Sequence, residues 1–385
     1  MQDLINHILP YYRDLRRQIH TFPELRYEEK ITASLVKREL QKIGLTVQTG
    51  IGQTGVVAVL DSGNPGKTIG LRADMDALPI TENTGLMYQS QHPGKMHACG
   101  HDGHVATLLG VAHILHQQKH QLRGKVKFIF QPAEEGGAGA KAMIEDGVLE
   151  NPTMDAIFAY HNYPGIPTGT ILVRPGCTMY GNTEFSIMIY GKGGHAALPE
   201  WTINPIAISA EIIQYIRELM LDFAEDLEPS VITITQIQSG IATNVIPDVA
   251  NLGGTIRASS ANNFQEVKKR LAQKLQGIAQ HYSAVVEITF KEIYPPTINT
   301  VDETEFVYSQ AIHVLGEENV NIKPSSGRAS EDFSFFLEKV PGCYFFIGNG
   351  EDSASCHSSK YNFNDELLPY AMKLLSMIAI KYLNG

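Results

Sequence analysis

Over residues 1–175 short apolar runs alternate with stretches in which apolar positions recur every three or four residues. The runs 55–61 (GVVAVLD), 68–73 (TIGLRA), 126–131 (VKFIFQ) and 155–160 (DAIFAY) predict strands, and 102–119 and 138–147 have the spacing of helices. The first residues, MQDLINHILPYYRDLRRQ, read as an amphipathic helix. The same style returns near the end, with helices predicted over 303–317, 330–339 and 365–383 around the strand 343–348 (CYFFIG). Alternation of this kind predicts an α/β fold: an open, mostly parallel sheet flanked by helices.

Between these two stretches the order changes. An alternating strand at 182–190 is followed by a helix at 203–222, strands at 231–238 and 251–258, a helix at 262–282 and a strand at 284–291. That order is βαββαβ, the split unit of a ferredoxin-like sandwich, and it predicts a small self-sufficient domain. The expected organisation is a catalytic domain of residues 1–177 and 293–385 with an inserted satellite domain of residues 178–292. Hinges are expected near Arg174 to Tyr180 and at Tyr294-Pro295-Pro296, where two prolines break the periodicity.

Composition narrows the function. In 385 residues, 43% are hydrophobic, enough for a sizeable core, and the formal charge of -10 with no basic run argues against nucleic acid as partner. No segment reads as a membrane span or a signal peptide. Four cysteines, Cys99, Cys177, Cys343 and Cys356, are too few and too scattered for a disulfide framework, so a cytoplasmic location is expected. Neither a G-x-S-x-G elbow nor a Walker motif is present. A small molecule is the expected partner.

In open α/β sheets ligands collect outside the carboxyl ends of the strands. Here those ends carry Asp74-Met75-Asp76, then Pro132-Ala133-Glu134-Glu135, then His161-Asn162, and a loop leading to Cys356-His357. A further cluster, His97-Ala98-Cys99-Gly100-His101-Asp102-Gly103-His104, opens the helix predicted at 102. Thiolate, imidazole and carboxylate are the side-chain ligands of transition metals, so these loops predict a metal site. Cys99 and His101 are two apart in a non-helical stretch and can point the same way. Glu134 and Glu135 are adjacent, so one can ligate while the other faces a substrate. Asp74 and Asp76 fit equally as acceptors that orient a histidine or as turn residues. Glu331 and Asp332 read as the opening of a helix. Cys177, Cys343 and Cys356 receive no role, Cys356 because adjacent side chains rarely ligate one ion.

At HACGHDGH (97–104) and QPAEEGGAGA (131–140) the chain resembles the amidohydrolase branch of the aminoacylase and carboxypeptidase metallopeptidase family. That branch includes hippurate hydrolases, N-acyl-amino-acid amidohydrolases, auxin-conjugate hydrolases and N-acetyldiaminopimelate deacetylases. Further matches are HTFPEL (20–25), LRADMDALPI (71–80), GKGGHAALP (191–199), TNVIP (243–247), GTIRA (254–258), ASEDFSFFL (329–337) and YNFND (361–365).

The resemblance implies two divalent ions, of manganese, zinc, nickel or cobalt, bridged by Cys99 and held also by His101, Glu135, His161 and His357. It implies that Glu134 is the general base and that His195 donates to the developing oxyanion. It also implies that Asn244 and Arg257 contact the substrate. The expected reaction is metal-dependent hydrolysis of the amide of an N-acyl amino acid, hippurate-like or N-acetylated. A deacetylase of N-acetyldiaminopimelate or a dipeptidase is the alternative within the family, and a catalytically silent metal-binding scaffold the alternative outside it. An unpaired edge or face of the satellite domain would serve as the surface of a homodimer.

Overall fold

A computed structural model describes residues 1–223, 229–323 and 326–385. The chain divides into two compact units, one of Met1–Thr178, Thr297–Pro324 and Asp332–Gly385, the other of Met179–Pro296 and Ser325–Glu331.

The larger unit is built on an eight-stranded sheet. Its order is Thr46–Ile51, Gly55–Asp61, Lys125–Gln131, Thr68–Asp74, Ala156–Pro164, Gly342–Gly350, Ile171–Val173, Val320–Ile322. The four central strands, from Lys125–Gln131 to Gly342–Gly350, run parallel. Antiparallel pairing enters on either side of them. All seven residues of Thr68–Asp74 are buried, as expected of a parallel strand covered on both faces. Helix His101–Gln117 packs on that strand together with Leu368–Asn384, and it is buried nearly all round. Such a helix needs apolar residues on every side, which Val105, Leu108, Leu109, Val111 and Ile114 supply.

The smaller unit is a four-stranded antiparallel sheet in the order Val231–Ser239, Val249–Ala258, Gly181–Tyr190, Val285–Tyr294. Helices Pro205–Asp222 and Ala261–Tyr282 supply the connections, so the chain order is βαββαβ. Alternation decides which face is covered. Phe185, Ile187 and Ile189 point to one side and pack in a single cluster with Ile208, Ile212 and Ile216 of the first helix and Leu271 and Leu275 of the second. A separate two-stranded ribbon joins Gly194–His195 to Val245–Ile246.

Local expectations fail where tertiary contacts outweigh pattern. Instead of a helix over 330–339 there is one turn, Ser334–Leu337. The Asp332 carboxylate does not open a helix: it accepts from Arg72 Nη2 at 3.1 Å, Gln131 Nε2 at 2.7 Å and the Ala140 amide at 3.0 Å. Edge strand Thr46–Ile51 escapes pattern reading because its polarity is mixed, and Ile171–Val173 and Val320–Ile322 because three residues are too few to show a period. Among the described residues no helix is long and apolar enough to cross a membrane.

Candidate metal centre

The loop before helix His101–Gln117 carries the first two donors. Gly100 stands between them with φ +94°, a left-handed conformation that glycine adopts at no steric cost. Any Cβ there would also run into the Asn162 amide and lie 2.5 Å from the Tyr361 hydroxyl. Those two groups hold the loop: Asn162 Nδ2 donates to the Cys99 carbonyl at 2.6 Å, and the Tyr361 hydroxyl donates to Asn162 Oδ1 at 2.6 Å. Asn162 is fixed in turn by its backbone amide, which donates to His104 Nε2 at 3.2 Å. His104 therefore carries its proton on Nδ1, where it meets Asp74 Oδ1 at 2.6 Å, and Arg72 Nη1 donates to the other Asp74 oxygen at 2.7 Å.

His101 and His161 each have one ring nitrogen held by a backbone carbonyl. His101 Nδ1 lies 2.9 Å from the Asp76 carbonyl, an obligate acceptor, so Nδ1 bears the proton; Nε2 is buried with no hydrogen-bond partner among the described residues. His161 Nδ1 likewise donates to the Asn162 carbonyl at 2.7 Å, leaving Nε2 3.3 Å from Cys99 Sγ. This fixed tautomer, with the second nitrogen held by a carbonyl, is the usual arrangement of a metal-ligating imidazole.

The two glutamates follow strand Lys125–Gln131 at a break in the backbone, with Ala133 at φ +54° and Gly136 at φ +76°. Asp76 sets both: its Oδ1 accepts the Glu134 amide at 3.0 Å and its Oδ2 the Glu135 amide at 2.9 Å. Asp76 is thus an orienting acceptor for the glutamates as well as for His101. His357, at φ +66°, is held by its amide donating to the Ala98 carbonyl at 2.7 Å, and its Nε2 lies 3.0 Å from Glu135 Oε1.

Three groups of donor atoms, each within 4.8 Å of one another, result: Cys99, His101 and His161; Cys99, Glu135 and His357; and His101, Glu134 and Glu135. The first two share only the Cys99 sulfur. A fourth group, Asp74, His101 and His104, has Arg72 as its cation already. The surrounding charge is strongly negative. Burial alone would lower the His101 pKa, but Asp74, Asp76 and Glu135 raise it to about 10, so the metal-free ring takes up a proton where a cation would otherwise sit. Burial, reinforced by His104 and His101, holds His161 neutral. Contact with the Cys356 thiol, then burial and the charges of Glu135 and Glu134, push the Cys99 thiol up, so its thiolate form needs a neighbouring cation. A buried imidazole nitrogen without a partner, and N, O and S donors converging on one sulfur, fit a pair of divalent ions.

The other expected site residues, His195, Asn244 and Arg257, belong to the smaller unit. His195 is exposed on the short ribbon, with its Nδ1 accepting the Ala197 amide at 3.0 Å, and the Asn244 carbonyl accepts the Ala196 amide at 3.1 Å. Arg257 is half-buried in strand Val249–Ala258 and donates to the Ser330 hydroxyl at 2.5 Å; no carboxylate pairs with it among the described residues.

The sequence from 70 to 381 matches the model of Peptidase family M20/M25/M40. The chain belongs to this family. Among its relatives are the IAA-amino acid hydrolase ILR1-like 4 of Arabidopsis thaliana, 41% identical over 378 residues (96% of this chain, 85% of the relative), and the hippurate hydrolase of Campylobacter jejuni, 38% identical over 372 residues (97% and 96%). A solved structure from Bacillus subtilis, described as a dinuclear metal-binding peptidase of the M20 family, superimposes with a TM-score of 0.88 at 33% identity, covering 98% of this chain and 99% of that one. Within the M20/M25/M40 frame the chain's own supports stand out. Asp76 is one of the two acidic residues expected as acceptors for a histidine; Asn162, directly after His161, and Tyr361, in the YNFND stretch, have no contact assigned to them by pattern alone. The only early signal for Asn162 is its place directly after His161.

Proposed function

We propose that this chain is an amidohydrolase that splits the amide bond of N-acyl amino acids, using two divalent ions held by Cys99, His101, Glu135, His161 and His357. One observation carries the reading: two sets of donors that meet at a single sulfur, with the Glu134 carboxylate in a third group beside them. Bound there, the ions would supply a water activated for attack at neutral pH and polarise the amide oxygen. Manganese, zinc, nickel and cobalt all suit a mixed set with one sulfur.

Glu134, in this reading, takes the proton of the attacking water and delivers it to the departing amine nitrogen. Asp76 keeps that carboxylate aimed by holding the amides of Glu134 and Glu135. His195 donates a hydrogen bond to the oxygen on which charge develops. Asn244 and Arg257 bind the polar end of the substrate. Arg257 suits a carboxylate, since a guanidinium offers paired donors and this one spends a single bond on a hydroxyl. Relatives named for hippurate and for an amino-acid conjugate support an N-acyl amino acid as substrate. Four free cysteines suit a reducing cytoplasm. The unpaired edges of Val231–Ser239 and Val285–Tyr294 offer surfaces for a homodimer.

The test is hydrolysis of hippurate, N-acetyl amino acids, N-acetyldiaminopimelate and dipeptides after reconstitution with each of the four metals. The expected result is turnover of hippurate or simple N-acetyl amino acids, and a Glu134→Gln variant that keeps its metal but loses roughly 10²–10⁴-fold in kcat. Turnover of N-acetyldiaminopimelate alone, or two ions bound with no N-acyl substrate cleaved, would overturn it.

A further inference from the structure

Cys356 precedes a metal donor in sequence and takes no part in the donor groups formed among the described residues. Its position nevertheless places it against the centre. The His357 amide donates to the Ala98 carbonyl at 2.7 Å, so the segments 98–99 and 356–357 lie side by side. Cys99 and Cys356 are the chain neighbours of the two residues that this bond joins. The two side chains make direct thiol–thiol contact, and both cysteines are free. Cys99 is 9% exposed, whereas Cys356 is only partly buried against the main core.

We propose that Cys99 and Cys356 are a modification site: a hydroperoxide oxidises them to a reversible disulfide that withdraws the shared sulfur from the metal centre. The chemistry balances in two steps. The more accessible Cys356 sulfur attacks one peroxide oxygen, the O–O bond breaks, and the thiol becomes a sulfenic acid with release of one water from hydrogen peroxide. The Cys99 sulfur then attacks the sulfenic sulfur, the S–O bond breaks, and a second water leaves as the disulfide forms. Two thiols are oxidised, one peroxide is reduced, and a dithiol reductant reverses the change.

Because Cys99 belongs to both donor sets, one covalent bond removes a ligand from both. Bound ions, by engaging Cys99, would protect it from oxidation. This consequence rests on the reading of Cys99 as a metal ligand; formation of the disulfide does not.

The experiment treats the metal-free full chain with hydrogen peroxide and maps disulfides by mass spectrometry of a non-reducing digest, then measures manganese uptake before and after dithiothreitol. The expected result is a linked pair of peptides containing Cys99 and Cys356, manganese uptake abolished by oxidation and restored by the reductant. Cys356→Ser should give no such linked pair and keep its manganese uptake through the same mild treatment. Absence of the linked pair in protein that retains its circular dichroism, or a linked pair that leaves manganese uptake intact, overturns the proposal. Manganese content of an unoxidised Cys99→Ala variant separates the two readings. Two ions retained there would sink the ligand assignment, while the digest still decides whether the disulfide forms.

Discussion

At the scale of single residues, Asp76 governs more of the centre than any one donor does. Its carboxylate receives the amides of Glu134 and Glu135, and its carbonyl fixes the His101 ring. Asp76→Ala leaves two amides without acceptors, at roughly 1–3 kcal/mol for each buried group, and lets the glutamates drift. The expected outcome is a fall of about 100-fold in kcat, since displacements near 1 Å cost that much, with metal affinity about 10–100-fold weaker. Titration with manganese and a steady-state assay check it; wild-type values for both would refute the role.

His20 gives a second test, on stability. Its Nδ1 lies 2.8 Å from Asp102 Oδ2 and its Nε2 3.3 Å from Glu82 Oε1, while Arg16 donates to the same Asp102 carboxylate at 3.1 Å. Burial opposes charge on His20, but Asp102 and Glu82 outweigh it and raise the pKa to about 8. A raised histidine stabilises the fold fully below its unfolded pKa of about 6.5, and that stability is lost as pH rises through about 8. Wild-type stability should therefore decline by about 2 kcal/mol over this interval from His20 alone. His20→Gln should flatten that part of the urea-denaturation profile, and an unchanged slope would count against the pair.

At the scale of elements, most of the donors are positioned by the places where regular structure stops, and His161 is the exception. The turn at Gly100 lets Cys99 and His101 flank a helix start, the break at Ala133 turns the glutamates off their strand, and His161 is presented within strand Ala156–Pro164. Gly100→Ala would force a side chain into the left-handed region, at a cost of roughly 1–2 kcal/mol, and press on Asn162 and Tyr361. We expect lost metal binding with the remaining fold intact, read by metal content beside circular dichroism; normal metal content would show that the turn is not needed.

These elements explain what was legible in advance. Buried strands such as Gly55–Asp61 declare themselves by nearly continuous apolar runs, and the strands of the smaller unit by alternation. Polar donors at strand ends are visible because an α/β sheet exposes those ends. Contacts between distant segments are not. Asp332 reads as a helix opening but serves Arg72, Gln131 and Ala140, and nothing local in Tyr361 announces its bond to Asn162, 199 residues away. Periodicity reports which face of an element is buried; it carries no information about which buried polar groups will meet.

At the scale of the whole molecule, the chain is two compact units. The larger gathers four donor side chains, His101, His161, Glu135 and His357, around the Cys99 sulfur, and the smaller carries His195, Asn244 and Arg257. Membership of the M20/M25/M40 family spans most of this length. The central claim is that Cys99 is common to both ion sites, and metal stoichiometry tests it most directly. Elemental analysis of manganese-loaded protein should find two ions per chain in the wild type, one after His161→Ala, and neither retained at full affinity after Cys99→Ala. Two tightly held ions in Cys99→Ala would contradict the account.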